Sequence, residues 1–419
     1  MNPTYDNRRQ LAGVEDVHGF VTRVCFKTGP PGAVGIESEW LVVADDDPCR
    51  AVPIAEMQRT LAGVVLPHGS ALTFEPGGQL ELSSLVSPNL SGACTGLAED
   101  LAALTPALDA AGLRLVGQGT DPLRPPVLQT LGPRYDAMQQ YFTRRGVAGE
   151  AMMASTAAVQ LSLDAGADAA DVRRRWHLAN ALLPVLLGAF ANSPLRFGRP
   201  TGDRSSRFGI WSAVDATRSA APSGDDPAEA WARHALAAQV MLVRTPDGPW
   251  VADPGFTFAD WVGGRTGLPA PTEDDLAYHL TTLFPPVRPR GWFEIRYLDA
   301  LPDQLWPVAV AVTTALMEDA AAGDSAADAA EAVRDLTPVA IRSGVADRRL
   351  RRAALRCLAL AADALPRLGA AELVPAVEAF VEQYTDRGRC PADDVLASAA
   401  ADLPEPSATP ADRRHALWL

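Results

Sequence analysis

Lysine is almost missing from this chain. Lys27 is the single lysine in 419 residues, and arginine supplies the other positive charge. With the abundance of alanine, that bias marks a GC-rich coding sequence rather than a function. Acidic residues outnumber basic ones, giving a net charge of -14. No basic patch offsets it, so nucleic acid is not an expected partner. Cysteine is also scarce. The five present form no CxxC pair and no zinc-like spacing, which argues against a disulfide framework or a zinc module and for a reducing cytoplasm. The six histidines are scattered and argue neither a metal cluster nor a catalytic triad. No apolar run reaches the ~18 to 20 residues of a membrane span. The longest, Leu182 to Phe190, is interrupted by Pro184 and is expected to be a buried helix. Met1 to Gln10 lacks the apolar core of a signal peptide. There is no internal repeat and no GxxxxGK[ST], which excludes a P-loop.

Hydrophobic residues make up 47% of the chain, enough for a sizeable core and for one large domain or two to three smaller ones. Strand signals run over 34–43. Leu72–Glu75 and Gln79–Ser84 flank Pro76-Gly77-Gly78 and predict a hairpin. Further strands are expected at Leu113–Gly117, Thr156–Asp164 and Trp292–Leu298. Helices are expected at 91–111, Arg134–Arg145 and Val172–Ala191. Residues 192–225, rich in Arg, Ser, Gly and Pro, read as a long functional loop. Trp306 to Ala401 is helical in pattern, with Ala320–Ala332 a solvated helix pair or loop. Strands confined to the first 300 or so residues, joined in mixed fashion, define an α+β chain. The expected division is a sheet region over 1–305 and a helical region over 306–419 packed on the same body.

Three segments place acidic residues on strands, each with a charged or amide side chain two positions away on the same face. In Gly35-Ile36-Glu37-Ser38-Glu39-Trp40, Glu37 and Glu39 share one face while Ile36, Ser38 and Trp40 take the other. In Phe74-Glu75-Pro76-Gly77-Gly78-Gln79-Leu80-Glu81, Gln79 and Glu81 share a face and Glu75 ends the preceding strand. Glu294-Ile295-Arg296 repeats the pattern, with Asp299 at the strand end. Each segment alone also fits a bland reading: a solvent-facing Glu pair, a charged hairpin, or Glu294 paired with Arg296. In one sheet, the three would give an acidic face that cannot pack a core. Divalent cations such as magnesium, bridging nucleotide phosphates, would neutralise it. The loop Thr201-Gly202-Asp203-Arg204-Ser205-Ser206-Arg207, followed by Trp211, Asp215 and Arg218, supplies guanidinium groups suited to carboxylate and phosphate. Met152 and Met153 read as packing, whereas Thr156 and Gln160 share a strand face fit for a ligand.

Taken in order, these segments resemble the glutamate–cysteine ligase family, most closely its bacterial branch that begins ergothioneine synthesis. The resemblance rests on Cys25-Phe26-Lys27-Thr28-Gly29-Pro30-Pro31, Gly35 to Trp40, Phe74 to Ser83, Arg134 to Met138, Met152 to Gln160, Ala191-Asn192-Ser193-Pro194, Pro200-Thr201-Gly202, Arg204 to Arg207 and Glu294 to Asp299. It implies a glutamine-synthetase-like fold, with a curved, mainly antiparallel sheet covered by helices and holding ATP and Mg²⁺. It implies ligation of the γ-carboxylate of L-glutamate to the amine of L-cysteine through γ-glutamyl phosphate. By position, Glu37, Glu39, Glu75, Glu81 and Glu294 are implied metal ligands. Arg296, with Glu294, is implied in catalysis. Lys27, Arg204 and Arg296 are implied nucleotide contacts, and Thr156, Gln160, Arg207 and Arg218 substrate contacts. One departure stands out: this branch usually carries Trp where the chain has Asp203, which raises the prospect of another acceptor amine. A non-catalytic binding protein on a degenerate ligase fold is the alternative from a different class.

Overall fold

The computed structural model describes residues 9–245 and 250–402. The polar lead-in before residue 9 and the end of the helical region after residue 402 lie outside the described residues. The strands are β1 (Val34–Ala44), β2 (Ala71–Phe74), β3 (Leu80–Ser83), β4 (Leu113–Val116), β5 (Ala158–Asp164), β6 (Leu195–Arg196), β7 (Arg199–Pro200), β8 (Leu242–Val243), β9 (Val251–Ala252), β10 (Val287–Pro289) and β11 (Trp292–Asp299). Seven of them build one open sheet in the order β10-β11-β5-β1-β3-β2, with β4 paired to the far half of β1. The paired strands are antiparallel throughout. The other four form two short ribbons, β6–β7 and β8–β9.

The register gives each face its chemistry. Glu37 lies opposite Ser83 on one side and Gln160 on the other, and Glu39 lies opposite Glu81. Glu294 lies opposite Ser162 and Arg288. The three acidic segments therefore do share one sheet face. Ile36, Trp40, Leu82, Leu161 and Ile295 point the other way into the main core. That far face is covered by helices: Leu90–Ala110 packs on β1 and β4, Leu183–Ala189 on β11, and Trp306–Glu318 on β5. The helices beyond Trp306 extend the same core, with Leu350, Ala354, Leu358 and Val377 in one cluster with the sheet residues. Arg175, 1% exposed, pins the two parts together. It donates to the Asp164 and Met317 carbonyls and, at 2.5 Å, to Glu318. Among the described residues, no helix is long and apolar enough to cross a membrane.

The structure departs from the sequence reading in four places. Pro184 splits the expected Val172–Ala191 helix into Ala169–Ala181 and Leu183–Ala189, because proline fits only a helix's first turn. The expected loop 192–225 contains helices Ser206–Val214 and Ala216–Ser219, nucleated by the Ser205 and Asp215 side-chain caps. Ala148–Ser155 is a helix, so the following strand starts at Ala158 rather than Thr156. Ala320–Glu331 is one helix whose Ala322, Gly323, Ala326 and Ala330 are buried. Its small residues allow close approach, since a Cβ on Gly323 would meet the Leu316 carbonyl oxygen at 2.6 Å.

Candidate active site

The acidic face forms the floor of a cavity of about 330 Å³. Helices Pro133–Thr143, Ala148–Ser155 and Ser206–Val214 roof it, contributing Tyr135, Met138, Met152, Met153 and Trp211, and Phe284 joins them. The β2–β3 hairpin is clamped to this roof through Pro76-Gly77-Gly78. A Cβ on Gly77 would lie 2.1 Å from the Ala154 carbonyl oxygen, so only glycine lets the hairpin seat there. The Gln79 amide nitrogen donates to the Thr156 carbonyl at 2.7 Å and completes the clamp.

Glu39, Glu75 and Glu81 converge beneath it, with one carboxylate oxygen from each within 4.8 Å of the other two. Burial pushes Glu39 well above the usual carboxylate range, and Glu75 and Glu81 push it further. Burial and the neighbouring Glu81 raise Glu75 to about 7. Glu37 is raised by burial and by Glu294 and Glu81. Such clustering stores repulsion that a cation or proton relieves. Glu39 is aimed by two donors: the Ala158 amide at 2.9 Å and Gln160 Nε2 at 3.0 Å. Gln160 Oε1 in turn accepts from Arg296 Nη1 at 2.6 Å, so one side chain links acidic floor and basic wall.

Glu294 sits apart from that triad. It is 1% exposed and accepts from Arg288 at 2.5 and 3.0 Å and from Arg290 at 3.4 Å, with Arg296 Nη1 3.1 Å away. Although burial opposes ionisation, the Arg288 and Arg296 guanidiniums outweigh it and hold Glu294 well below the usual carboxylate range. The pairing of Glu294 with Arg296 foreseen on the strand is therefore present, and Glu294 acts here as a counter-charge.

Arg207 and Arg296 both approach the indole of Trp211, their guanidinium carbons 5.5 and 5.4 Å from the ring centre. Both line the cavity. The Nε of each is buried without a hydrogen-bond partner among the described residues. Thr156 also lines it, yet its hydroxyl is occupied, donating to the Met152 carbonyl at 2.6 Å and accepting from Trp211 Nε1 at 3.3 Å. It fixes the indole.

The remaining expected residues lie outside the cavity. Lys27 is exposed, with its stem beside Gly291. Arg204 turns to the last described helix and donates to Asp393 at 2.8 Å. Arg218 is fully buried, and each of its nitrogens is engaged: with Asp215, the Thr282 carbonyl and hydroxyl, the Tyr141 hydroxyl and the Gln239 carbonyl. It braces the roof and has no donor left for a substrate. Asp203 also lies off the cavity, half-buried near Ile341. Burial raises its carboxyl and Arg342 opposes the rise. Arg288 and Arg290 line the cavity but were not foreseen. Pro289 between them hides a strand, because proline is tolerated only at an edge such as β10. Arg134, Tyr135 and Phe284 had no local signal beyond the Arg134–Met138 motif.

An open antiparallel sheet with an acidic triad and a set of guanidiniums lining one cavity forms a site suited to phosphates and cations. The chain belongs to glutamate-cysteine ligase family 2, whose family model matches residues 33–411. It is 44% identical over 385 residues to the glutamate–cysteine ligase EgtA of Mycobacterium tuberculosis, covering 90% of this chain and 88% of that protein. With EgtA of Mycolicibacterium smegmatis it shares 45% over 393 residues, 92% of this chain and 91% of the relative. The chloroplastic glutamate–cysteine ligase of Brassica juncea is 30% identical over 347 residues, 78% of this chain and 66% of that protein. The fold resembles the glutamate–cysteine ligase of Francisella tularensis, solved in complex with AMP. The TM-score is 0.56 at 13% identity, covering 90% of this chain and 86% of that one.

Proposed function

We propose that the protein is an ATP-dependent ligase that joins the γ-carboxylate of L-glutamate to the amine of L-cysteine, supplying γ-glutamylcysteine for ergothioneine synthesis. The observation that carries this reading is the Glu39–Glu75–Glu81 triad set across one cavity from Arg207 and Arg296. The names of the bacterial relatives and the AMP-bound neighbour point the same way.

A γ-carboxylate oxygen of glutamate attacks the terminal phosphorus of ATP, and ADP leaves. The cysteine amine then attacks the acyl carbon, phosphate departs, and the amine proton passes to solvent. Magnesium fits the triad: three oxygen ligands converge and their repulsion is unrelieved. Glu39, Glu75 and Glu81 would hold it, with Glu37 at the neighbouring position. Glu294 would join only by releasing an arginine. Bound magnesium would neutralise phosphate charge as the phosphoryl group moves. The chain's own groups do the rest. Arg296, tied to Gln160 and Glu294, stabilises the phosphoryl group in transit. Arg207, which lines the cavity, holds the substrate's α-carboxylate. Gln160 keeps Glu39 and Arg296 in fixed relation. Trp211, Met138, Met152 and Met153 exclude water that would hydrolyse an acyl phosphate. Residues 306–402 support the sheet from behind and supply no cavity wall.

The test is ADP release with Mg-ATP, L-glutamate and a panel of amines. Turnover should require both glutamate and cysteine. Turnover with another amine instead of cysteine would reassign the acceptor, and the absence of both turnover and ATP binding would remove the enzyme reading.

A further inference from the structure

Asp299 ends β11, the strand that carries Glu294 and Arg296. It lies outside the cavity lining and is 1% exposed. Its Oδ2 accepts from the Asn192 amide at 2.8 Å and the Ser193 hydroxyl at 2.7 Å, and its Oδ1 accepts from the Ser205 hydroxyl at 2.9 Å. These partners hold the start of the helix that bears Arg207 and Trp211. Ser205 caps that helix, and Ser193 accepts the Arg207 amide at 3.0 Å on its hydroxyl. Gly119 closes the other side, where a Cβ would fall 2.6 Å from the Asp299 carboxyl carbon. The carboxylate is thus fixed in place from several directions.

Its charge faces Arg207. Nη1 of Arg207 is 3.9 Å from Asp299 Oδ1, near enough for Coulombic attraction and too far for a hydrogen bond. Arg207 is 2% exposed, and the other charged groups acting on it are Glu39 and Arg296. Nη2 donates to the Arg296 carbonyl at 3.0 Å, and the buried Nε has no partner among the described residues. A buried guanidinium needs a counter-charge. A carboxylate in direct bidentate contact would supply one but would also fill the donors. Asp299 supplies the charge from 3.9 Å and takes no hydrogen bond from Nη1.

We infer that Asp299 is the positioning residue that keeps Arg207 oriented and open for the amino-acid carboxylate, so that it sets glutamate affinity without touching glutamate. The inference rests on the reading of Arg207 as that clamp. Asp299→Asn keeps the shape and removes the charge. It should raise the KM for glutamate about tenfold or more, with the KM values for ATP and cysteine near wild type and kcat within a few-fold. Ser205→Ala, which leaves the charge but loosens its anchor, should raise the glutamate KM by a smaller factor and serves if Asp299→Asn folds poorly.

A double-mutant cycle with Arg207→Lys reads the coupling. If Asp299 acts through Arg207, adding Asp299→Asn to Arg207→Lys gives little further rise in glutamate KM. Full additivity, or a general loss of kcat with all three KM values, would overturn the role of Asp299 while leaving the clamp in place. An unchanged glutamate KM in Arg207→Lys itself would overturn the clamp and the inference together.

Discussion

Glu75 shares its acidic pocket with Glu39 and Glu81, and burial with Glu81 holds its carboxyl near 7. Its folded value exceeds the unfolded one, so the folded state binds the extra proton between the two. That stabilisation is complete below the unfolded value of 4.5 and is lost as pH rises through about 7. The metal-free protein should lose on the order of 2–3 kcal/mol across this window. Thermal unfolding followed from about pH 5 to pH 8 should show a falling midpoint, flattened by Glu75→Gln and restored by Mg²⁺. A profile that Glu75→Gln leaves unaltered would remove Glu75 from the cluster. Arg218 makes the opposite case, a charge whose donors are all consumed inside the protein. Arg218→Met strands Asp215 and two carbonyls, and should cost about 3–5 kcal/mol in denaturant unfolding. A normal midpoint with a raised glutamate KM would instead return Arg218 to the substrate.

Elements bring these residues together through contacts that tolerate little change. The β2–β3 hairpin offers Glu75 and Glu81 from its two arms, and its turn is pressed on the helix Ala148–Ser155. Gly77→Ala drives a Cβ into backbone that cannot yield. The hairpin must lift, and stability should fall by at least ~2 kcal/mol. Ligase turnover should drop more than tenfold as Glu75 and Glu81 leave Glu39. Paired melting and ADP-release measurements check both, and wild-type turnover would show that the turn does not position the triad. Strand periodicity made Glu37, Glu39, Glu81 and Glu294 legible, because period two assigns a face before any partner is known. Arg288 and Arg290 stay hidden, since Pro289 disguises β10, which ends just before Arg290, and the opposition of Arg288 to Glu294 is a matter of pairing. The helix carrying Arg207 and Trp211 looks like loop in the sequence because its residues show no periodic stripe and its caps and neighbours define it.

At the scale of the molecule, the helices after Trp306 and the sheet bury one continuous apolar cluster. They also grip the arginine loop. The Arg204 and Ser205 amides donate to the Ile341 carbonyl, and Asp393 holds the Arg204 side chain. Removing residues 306–419 would expose Leu161, Ile295 and Tyr297 on the sheet's far face and leave Arg175 without Glu318. The shortened chain should be recovered as aggregate, by size-exclusion chromatography, rather than as a folded monomer with weak activity. A soluble, cooperatively melting product would show that the sheet region stands alone.

The α+β class, the acidic strands and the family were fixed by the sequence itself, since side-chain period and motif order are properties of the chain alone. Which charges meet was decided only in three dimensions. Register set Glu39 beside Glu81, the Pro76-Gly77-Gly78 turn brought Glu75 to them, and β10 gave Glu294 to arginines instead. The same packing took Lys27, Arg204 and Arg218 away from the cavity. Charge alone could not sort them, because a guanidinium suits a buried brace as well as a bound carboxylate, and only its neighbours determine which it serves.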